Sequence, residues 1–102
     1  MYLIQLLLPL YDNDGRLFAR EPFDRVRDEL AGRFGGVTAF RLSPAEGLWK
    51  EEEGEVTRDR LITYEVMAND LDRAWWSRYR TELEERFRQE EILIRATEVE
   101  KL

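Results

Sequence analysis

Apolar and polar residues alternate near the middle of the chain, and this pattern predicts a strand over Leu61–Ala68. Successive side chains of a strand point to opposite faces, so the stretch has two distinct sides. One side carries Ile62, Tyr64, Val66 and Ala68, and the other carries Leu61, Thr63, Glu65 and Met67. Asn69 and Asp70 are placed to end this strand and to cap the helix that follows.

Three further segments have the composition of strands. Tyr2–Leu8 is apolar on both alternating sides, which is typical of a central strand covered on both faces. Val37–Leu42 and Ile92–Thr97 alternate and predict the second and last strands. An Asp-Gly pair at 14–15 predicts a small hairpin extension after the first strand. Residues 44–58 predict an irregular arm or hairpin.

Two segments show the spacing of amphipathic helices. In the first, Pro22 is placed to be the first helical residue and Gly35-Gly36 to end the helix. Its apolar stripe is Phe23, Val26, Leu30 and Phe34. The second helix is predicted from about Leu71 to Gln89. Its apolar residues recur at steps of four, at Leu71, Trp75, Tyr79, Leu83 and Phe87.

The predicted order of elements is strand, helix, strand, strand, helix, strand. With right-handed crossovers this order gives an α+β fold, the ferredoxin-like βαββαβ plait. We expect a single domain over residues 1–102, in which the arm at about 44–58 is an insertion. The four-stranded antiparallel sheet is predicted in the order fourth, first, third, second, with both helices on one face.

In that arrangement the other sheet face is mostly apolar and uncovered. Monomers avoid such patches, so we expect a second copy of the chain to pack there as a homodimer. Gln5, Glu65 and Arg95 come from three neighbouring strands and are predicted to form one row across this face. The row is either a polar network that fixes the interface or part of a cavity that orients a small polar molecule.

Several aromatic residues are candidates for ligand contacts. Trp49 lies on the predicted arm. Three roles are open for it: covering a pocket, binding a partner, or packing over its own domain. Tyr64 is a candidate proton donor, although no base is visible beside it in the sequence. Trp75 and Trp76 have helical spacing, which favours the core over a platform for a ring ligand. The candidate ligand-binding residues are Gln5, Trp49, Tyr64, Glu65 and Arg95.

The 102-residue chain contains no Cys and no His, which removes thiolate chemistry and the commonest zinc and haem ligand. We therefore expect no cofactor and no metal, and the run Asp12–Gly15 lacks the spacing of a calcium loop. A net charge of −6 repels phosphate backbones, so no nucleic-acid partner is expected. The apolar run Met1–Leu10 is too short to span a bilayer and has no basic leader, which predicts a cytoplasmic protein without membrane contact.

Four runs carry a resemblance to a known family. They are RFGGVTAF at Arg33–Phe40, GLWK at Gly47–Lys50, YEVM at Tyr64–Met67, and WW followed by QEEILIR through Arg95. Over nearly its whole length the chain resembles a family of small bacterial proteins of unknown function. The resemblance implies a ferredoxin-like, dimeric α+β-barrel type fold and assigns no catalytic residue.

Two functions follow as expectations. The first is a homodimeric ligand-binding or protein-interaction module. The second is a cofactor-independent enzyme, monooxygenase-like or isomerase-like, acting on a small organic substrate in a cavity on the open sheet face. In architecture the chain is similar to the dimeric α+β-barrel superfamily, which includes cofactor-free monooxygenases, lactone isomerases and haem enzymes that use His, a residue this chain does not have. A fold of this kind does not by itself select between them.

Overall fold

The computed structural model of the chain describes residues 1–42 and 61–102. In chain order the elements are β1 (Tyr2–Pro9), α1 (Arg20–Phe34), β2 (Thr38–Leu42), β3 (Leu61–Ala68), α2 (Arg73–Arg86) and β4 (Leu93–Glu98). The predicted arm or hairpin at about 44–58 lies outside the described residues. Of the helices in the described ranges, none is long and apolar enough to cross a membrane.

The described strands form one antiparallel sheet in the order β2-β3-β1-β4. The central pair, β1 and β3, is in register from Tyr2 opposite Ala68 to Pro9 opposite Leu61. β4 pairs with the other edge of β1, and β2 pairs with the other edge of β3. The predicted fold class, a ferredoxin-like α+β plait with the first and third strands at the centre, is confirmed.

The helices cover one face of this sheet, and the core lies between the helices and that face. The buried sheet residues include Ile4, Leu6, Leu8, Tyr64 and Val66. The helices contribute Val26, Leu30, Trp76, Tyr79 and Leu83. On the second face of β1, Leu3, Gln5 and Leu7 are half-buried in the single chain.

Helix α1 begins at Arg20, so the prediction that Pro22 is its first residue is wrong by two positions. The first N–H groups of a helix have no acceptor within it, so a residue without an N–H fits anywhere in the first turn. The predicted end is confirmed. Gly35 has a φ of 82°, and its N–H donates to the carbonyl of Ala31 at 2.8 Å. That left-handed conformation favours glycine.

Helix α2 is capped by Asp72 rather than by the predicted Asp70. The Asp72 Oδ1 accepts a hydrogen bond from the N–H of Trp75 at 3.1 Å, and the helix begins at Arg73. This is the usual geometry of an N-cap, in which a short side chain satisfies an N–H of the first turn. Both aspartates fit that pattern in the sequence, and only the tertiary path of the chain selects between them.

The helix ends at Arg86, three residues before the predicted end at Gln89. Arg88 adopts a positive φ of 54°, and the N–H of Gln89 returns to the carbonyl of Glu84 at 2.8 Å. This left-handed turn reverses the chain toward β4. It leaves Phe87 fully buried in the core.

The predicted hairpin extension after β1 is present as a bridge between Tyr11 and Leu17. The Asp12 Oδ1 accepts hydrogen bonds from the N–H groups of Asp14 at 2.9 Å and of Arg16 at 2.8 Å. Gly15 takes a positive φ of 82° within this turn. The Asp12 carboxylate therefore organises the turn itself, as Asx turns do.

An ionic contact that the sequence did not predict joins the helices. Arg86 donates from both terminal nitrogens to Glu29, with N···O distances of 2.9 and 3.1 Å, and Tyr79 donates its hydroxyl to the same carboxylate at 2.7 Å. Burial raises the pKa of the Glu29 carboxyl, but the hydrogen bonds from Arg86 and Tyr79 outweigh burial and leave that pKa below its ordinary value. Burial, and then the hydrogen bond to Glu29, raise the pKa of the Tyr79 hydroxyl.

Removing this carboxylate should destabilise the fold in a pH-dependent way. We expect Glu29→Gln to lower the free energy of unfolding by about 1–2 kcal/mol near pH 7, because charge-assisted hydrogen bonds are lost. The folded pKa of Glu29 lies below its ordinary value of 4.5, so its contribution is complete above that value. The contribution is lost as the pH falls through the folded pKa. The difference from wild type should therefore shrink on acidification.

Urea unfolding across this pH range measures the effect. The matched control is Glu82→Gln, which removes the exposed partner of Arg86 at 3.2 Å. Such an exposed pair is worth about 0.5 kcal/mol or less. Equal losses in the two variants, or a Glu29→Gln loss that grows on acidification, would contradict this interpretation.

Candidate functional site

The second face of the sheet is covered by neither helix and carries the candidate site. We call it the open face and define it by Leu3, Gln5, Leu7, Thr63, Glu65, Met67, Leu93 and Arg95. The strands place these residues together because every second residue of a strand points to the same side. The open face alternates with the core along each strand, so its position follows directly from the apolar pattern.

A row of polar side chains crosses the open face on three neighbouring strands. Gln5 on β1 lies opposite Glu65 on β3 and opposite Arg95 on β4. The Gln5 Nε2 donates to the Glu65 Oε2 at 2.6 Å, and the Arg95 Nε donates to the Gln5 Oε1 at 2.8 Å. The predicted row is therefore present, with the amide of Gln5 bridging a carboxylate and a guanidinium.

The bridge uses only part of the hydrogen-bonding capacity of the row. Glu65 accepts through one of its oxygens, and Arg95 donates through Nε alone, among the contacts within residues 1–42 and 61–102. A carboxylate has two acceptor oxygens and a guanidinium has five N–H donors. The row thus presents an acceptor at one end and donors at the other, an arrangement that suits a small molecule carrying both kinds of group.

Apolar side chains flank the row on both sides. Leu3 pairs with Met67 on one side, and Leu7 pairs with Leu93 on the other. Met67 is 42% exposed and Leu93 is 48% exposed, which is high for large apolar residues. The polar row therefore has two large apolar side chains on each side, with Thr97 next to Leu3 and Thr63 next to Leu7.

A cavity of about 480 Å³ opens at the Glu65 end of the row. Its walls come from the end of α1, the α1–β2 turn and the adjoining parts of β2 and β3. Glu65 belongs both to the row and to the lining of this cavity. The lining also includes Gly36, Thr38 and Met67. A Cβ added at Gly36 would meet no atom within 4 Å, so this wall is open. A volume of this size falls within the range of small-molecule pockets.

Thr63 lies on the same face, two residues before Glu65 on β3. It is 2% exposed, and its Oγ1 has no hydrogen-bond partner among the described residues. A buried hydroxyl without a partner is costly. The sequence places Thr63 on this face by alternation, but alternation does not reveal its burial.

The remaining candidates are not part of this row. Tyr64 lies on the helix-covered face, where its hydroxyl donates to the carbonyl of Phe23 at 3.2 Å. Burial raises the pKa of this hydroxyl. Trp49 lies outside the described residues. The structure thus brings together Gln5, Glu65 and Arg95 and places Tyr64 on the opposite side of the sheet. Within the described ranges no group of three or more metal-ligating side chains occurs.

Comparison with solved structures gives a fold likeness. The chain is similar to a phage SAM lyase in complex with S-methyl-5'-thioadenosine, with a TM-score of 0.56 and 16% sequence identity. The match covers 95% of this chain and 80% of that chain. At this identity the likeness concerns the fold. No family model matches the chain, and no curated protein matches it.

Proposed function

We propose that this chain is a homodimeric small-molecule-binding protein that holds its ligand on the open face, at Gln5, Glu65 and Arg95. The observation that carries the proposal is the row itself. Its carboxylate and guanidinium are held by a shared amide, and among the described residues each has hydrogen-bonding capacity that this amide does not use. Fixed polar groups within an apolar surface are the usual composition of a ligand site.

The ligand is a small polar organic molecule of about nucleoside size. The cavity beside Glu65 gives it room, and its volume is about 480 Å³. Glu65 accepts hydrogen bonds from hydroxyl or amino groups of the ligand, and Arg95 donates to its acceptors. Gln5 holds both side chains in place, which lowers the entropy lost on binding.

A second copy of the chain covers the apolar flanks in this proposal. Met67 and Leu93, both more than 40% exposed, lie on either side of the row. Packing two open faces against each other would bury these side chains and enclose the ligand between the sheets. A symmetric dimer uses the same surface on both chains, so each copy would present the same row to its partner.

A second candidate function is an enzyme that uses no cofactor. The observation favouring it is the fold likeness to a SAM lyase. SAM carries a sulfonium cation, and the Glu65 carboxylate is the negatively charged group of the row. In this candidate Glu65 lies against the cation and Arg95 binds the carboxylate of the substrate.

Titration with S-methyl-5'-thioadenosine, followed by calorimetry, tests the proposed site. We expect Glu65→Gln to weaken binding at least tenfold, about 1.4 kcal/mol, because the charged acceptor is lost. The matched control is Glu98→Gln. Glu98 is an exposed residue of β4 that pairs with Tyr2 of β1, and its carboxylate lies on the other side of the sheet from the row. This control should bind like the wild type.

The same samples separate the two candidate functions. Incubation with SAM, followed by chromatography, shows whether S-methyl-5'-thioadenosine accumulates. Accumulation that is lost in Glu65→Gln favours the enzyme, and binding without turnover favours the binding protein. Unchanged affinity in Glu65→Gln, or no binding by the wild type, would contradict the placement of a nucleoside ligand at this row.

A further inference from the structure

A second cavity lies on the other side of the sheet, between α2 and the edge strand β4. We call it the α2–β4 cleft, and its volume is about 300 Å³. Its apolar floor consists of Ile4, Leu71, Trp76 and Ile94. Since Ile4 and Trp76 belong to the buried core, the cleft opens directly onto the core at the edge of the sheet.

The rim of the cleft is basic. Arg73, Ser77 and Arg80 line it from α2. These residues are spaced four and three apart, so they lie on one side of the helix, together with Trp76. Arg95 also borders the cleft, but its guanidinium belongs to the polar row on the opposite face. No acidic residue in the described part of the chain lines the cleft. Such a cluster is unexpected in a chain whose net charge is −6.

The rim arginines keep charge available for a ligand. Arg80 contacts Glu84 at a loose 3.8 Å, and its side chain remains 50% exposed. Glu84 also accepts from the N–H of Ile92 at 3.1 Å, so its carboxylate is shared with the backbone. Arg73 forms no ion pair with another described residue.

We propose that the α2–β4 cleft binds a small amphiphilic organic anion, whose apolar body lies on Trp76 and Ile94 and whose carboxylate or phosphate group lies between Arg73 and Arg80. The apolar floor supplies burial without hydrogen-bond partners, so it favours a hydrocarbon or ring over a sugar. Guanidinium groups bind carboxylates and phosphates through paired hydrogen bonds. The anion is held by Arg73 and Arg80 and not by the polar row, so this proposal does not rest on the function proposed for that row.

The test is an NMR titration of the isotope-labelled full chain with octanoate, octyl phosphate, octanol and inorganic phosphate. We expect saturable shifts of the backbone amides of Ser77, Ile94 and Ala96 with at least one of the octyl anions. Octanol and inorganic phosphate should bind at least tenfold more weakly, because octanol lacks the anionic group and inorganic phosphate lacks the apolar chain. The preferred octyl anion identifies the head group as a carboxylate or a phosphate.

The double variant Arg73→Gln/Arg80→Gln should bind the preferred anion at least tenfold more weakly and leave octanol binding unchanged. The matched control is Arg78→Gln, an exposed residue of the same helix that does not line the cleft. Wild-type affinity in the double variant would overturn the proposal. So would the absence of saturable binding, or shifts confined to Gln5, Glu65 and Met67 on the open face.

Discussion

Phe87→Ala should lower the free energy of unfolding by about 4 kcal/mol, the largest loss we expect from a single substitution. Phe87 is fully buried at the point where α2 ends. Its ring lies 5.4 Å from Phe18 and 5.2 Å from Phe23, measured between centroids. Truncation therefore removes a complete buried ring and two aromatic contacts, and it leaves a cavity between the helical layer and the hairpin extension.

Such a loss is a large part of the stability of a small domain, which is about 5–15 kcal/mol in total. Urea unfolding at one fixed protein concentration measures it, since the proposed dimerisation would also contribute to the apparent stability. Phe87→Leu is the control and should cost about 1.5 kcal/mol or less, because most of the volume is kept. A loss below 1.5 kcal/mol for Phe87→Ala would mean that the aromatic cluster is not essential to the core.

Leu93→Lys should convert the proposed dimer to a monomer without unfolding the chain. Leu93 is 48% exposed on the edge strand β4, so a lysine is tolerated there in the single chain. In a dimer formed through the open face, two copies of this charge would be buried without a partner. The free energy of dimerisation should weaken by several kcal/mol. The dissociation constant should therefore rise at least a thousandfold, which corresponds to about 4 kcal/mol.

Light scattering after size exclusion, over a range of concentrations, measures this shift. The control is Leu17→Lys, which places the same charge at a leucine that is 63% exposed in the hairpin extension. Both lysines make the net charge of −6 less negative, so general repulsion cannot account for a difference between them. A dimer that persists in Leu93→Lys, or a wild type that is monomeric, would contradict assembly through the open face.

The strands could be predicted from the sequence because their signal is local. β3 has the predicted bounds, Leu61–Ala68, since alternation there is uninterrupted and polar residues follow it. The row of Gln5, Glu65 and Arg95 could also be predicted, because the order of elements sets the order of the strands. Residue alternation then fixes which side chains share a face.

Contacts between distant residues could not be predicted in the same way. Glu29 and Arg86 are separated by 57 positions, and their pairing depends on how the helices pack. The choice of Asp72 over Asp70 as the cap likewise depends on the path of the chain between β3 and α2. Residue type makes Tyr64 a ligand candidate, although the alternation of its strand places it with the core. Trp76 is more buried than Trp75 because steps of four drift around a helix of 3.6 residues per turn.

Native mass spectrometry of the chain purified from its own cells tests the proposed function most directly. We predict a dimer that carries a reproducible small-molecule mass. That mass should be absent from Glu65→Gln and present in Glu98→Gln. A monomer without added mass, or a bound molecule that is retained in Glu65→Gln, would contradict ligand binding at the polar row of the open face.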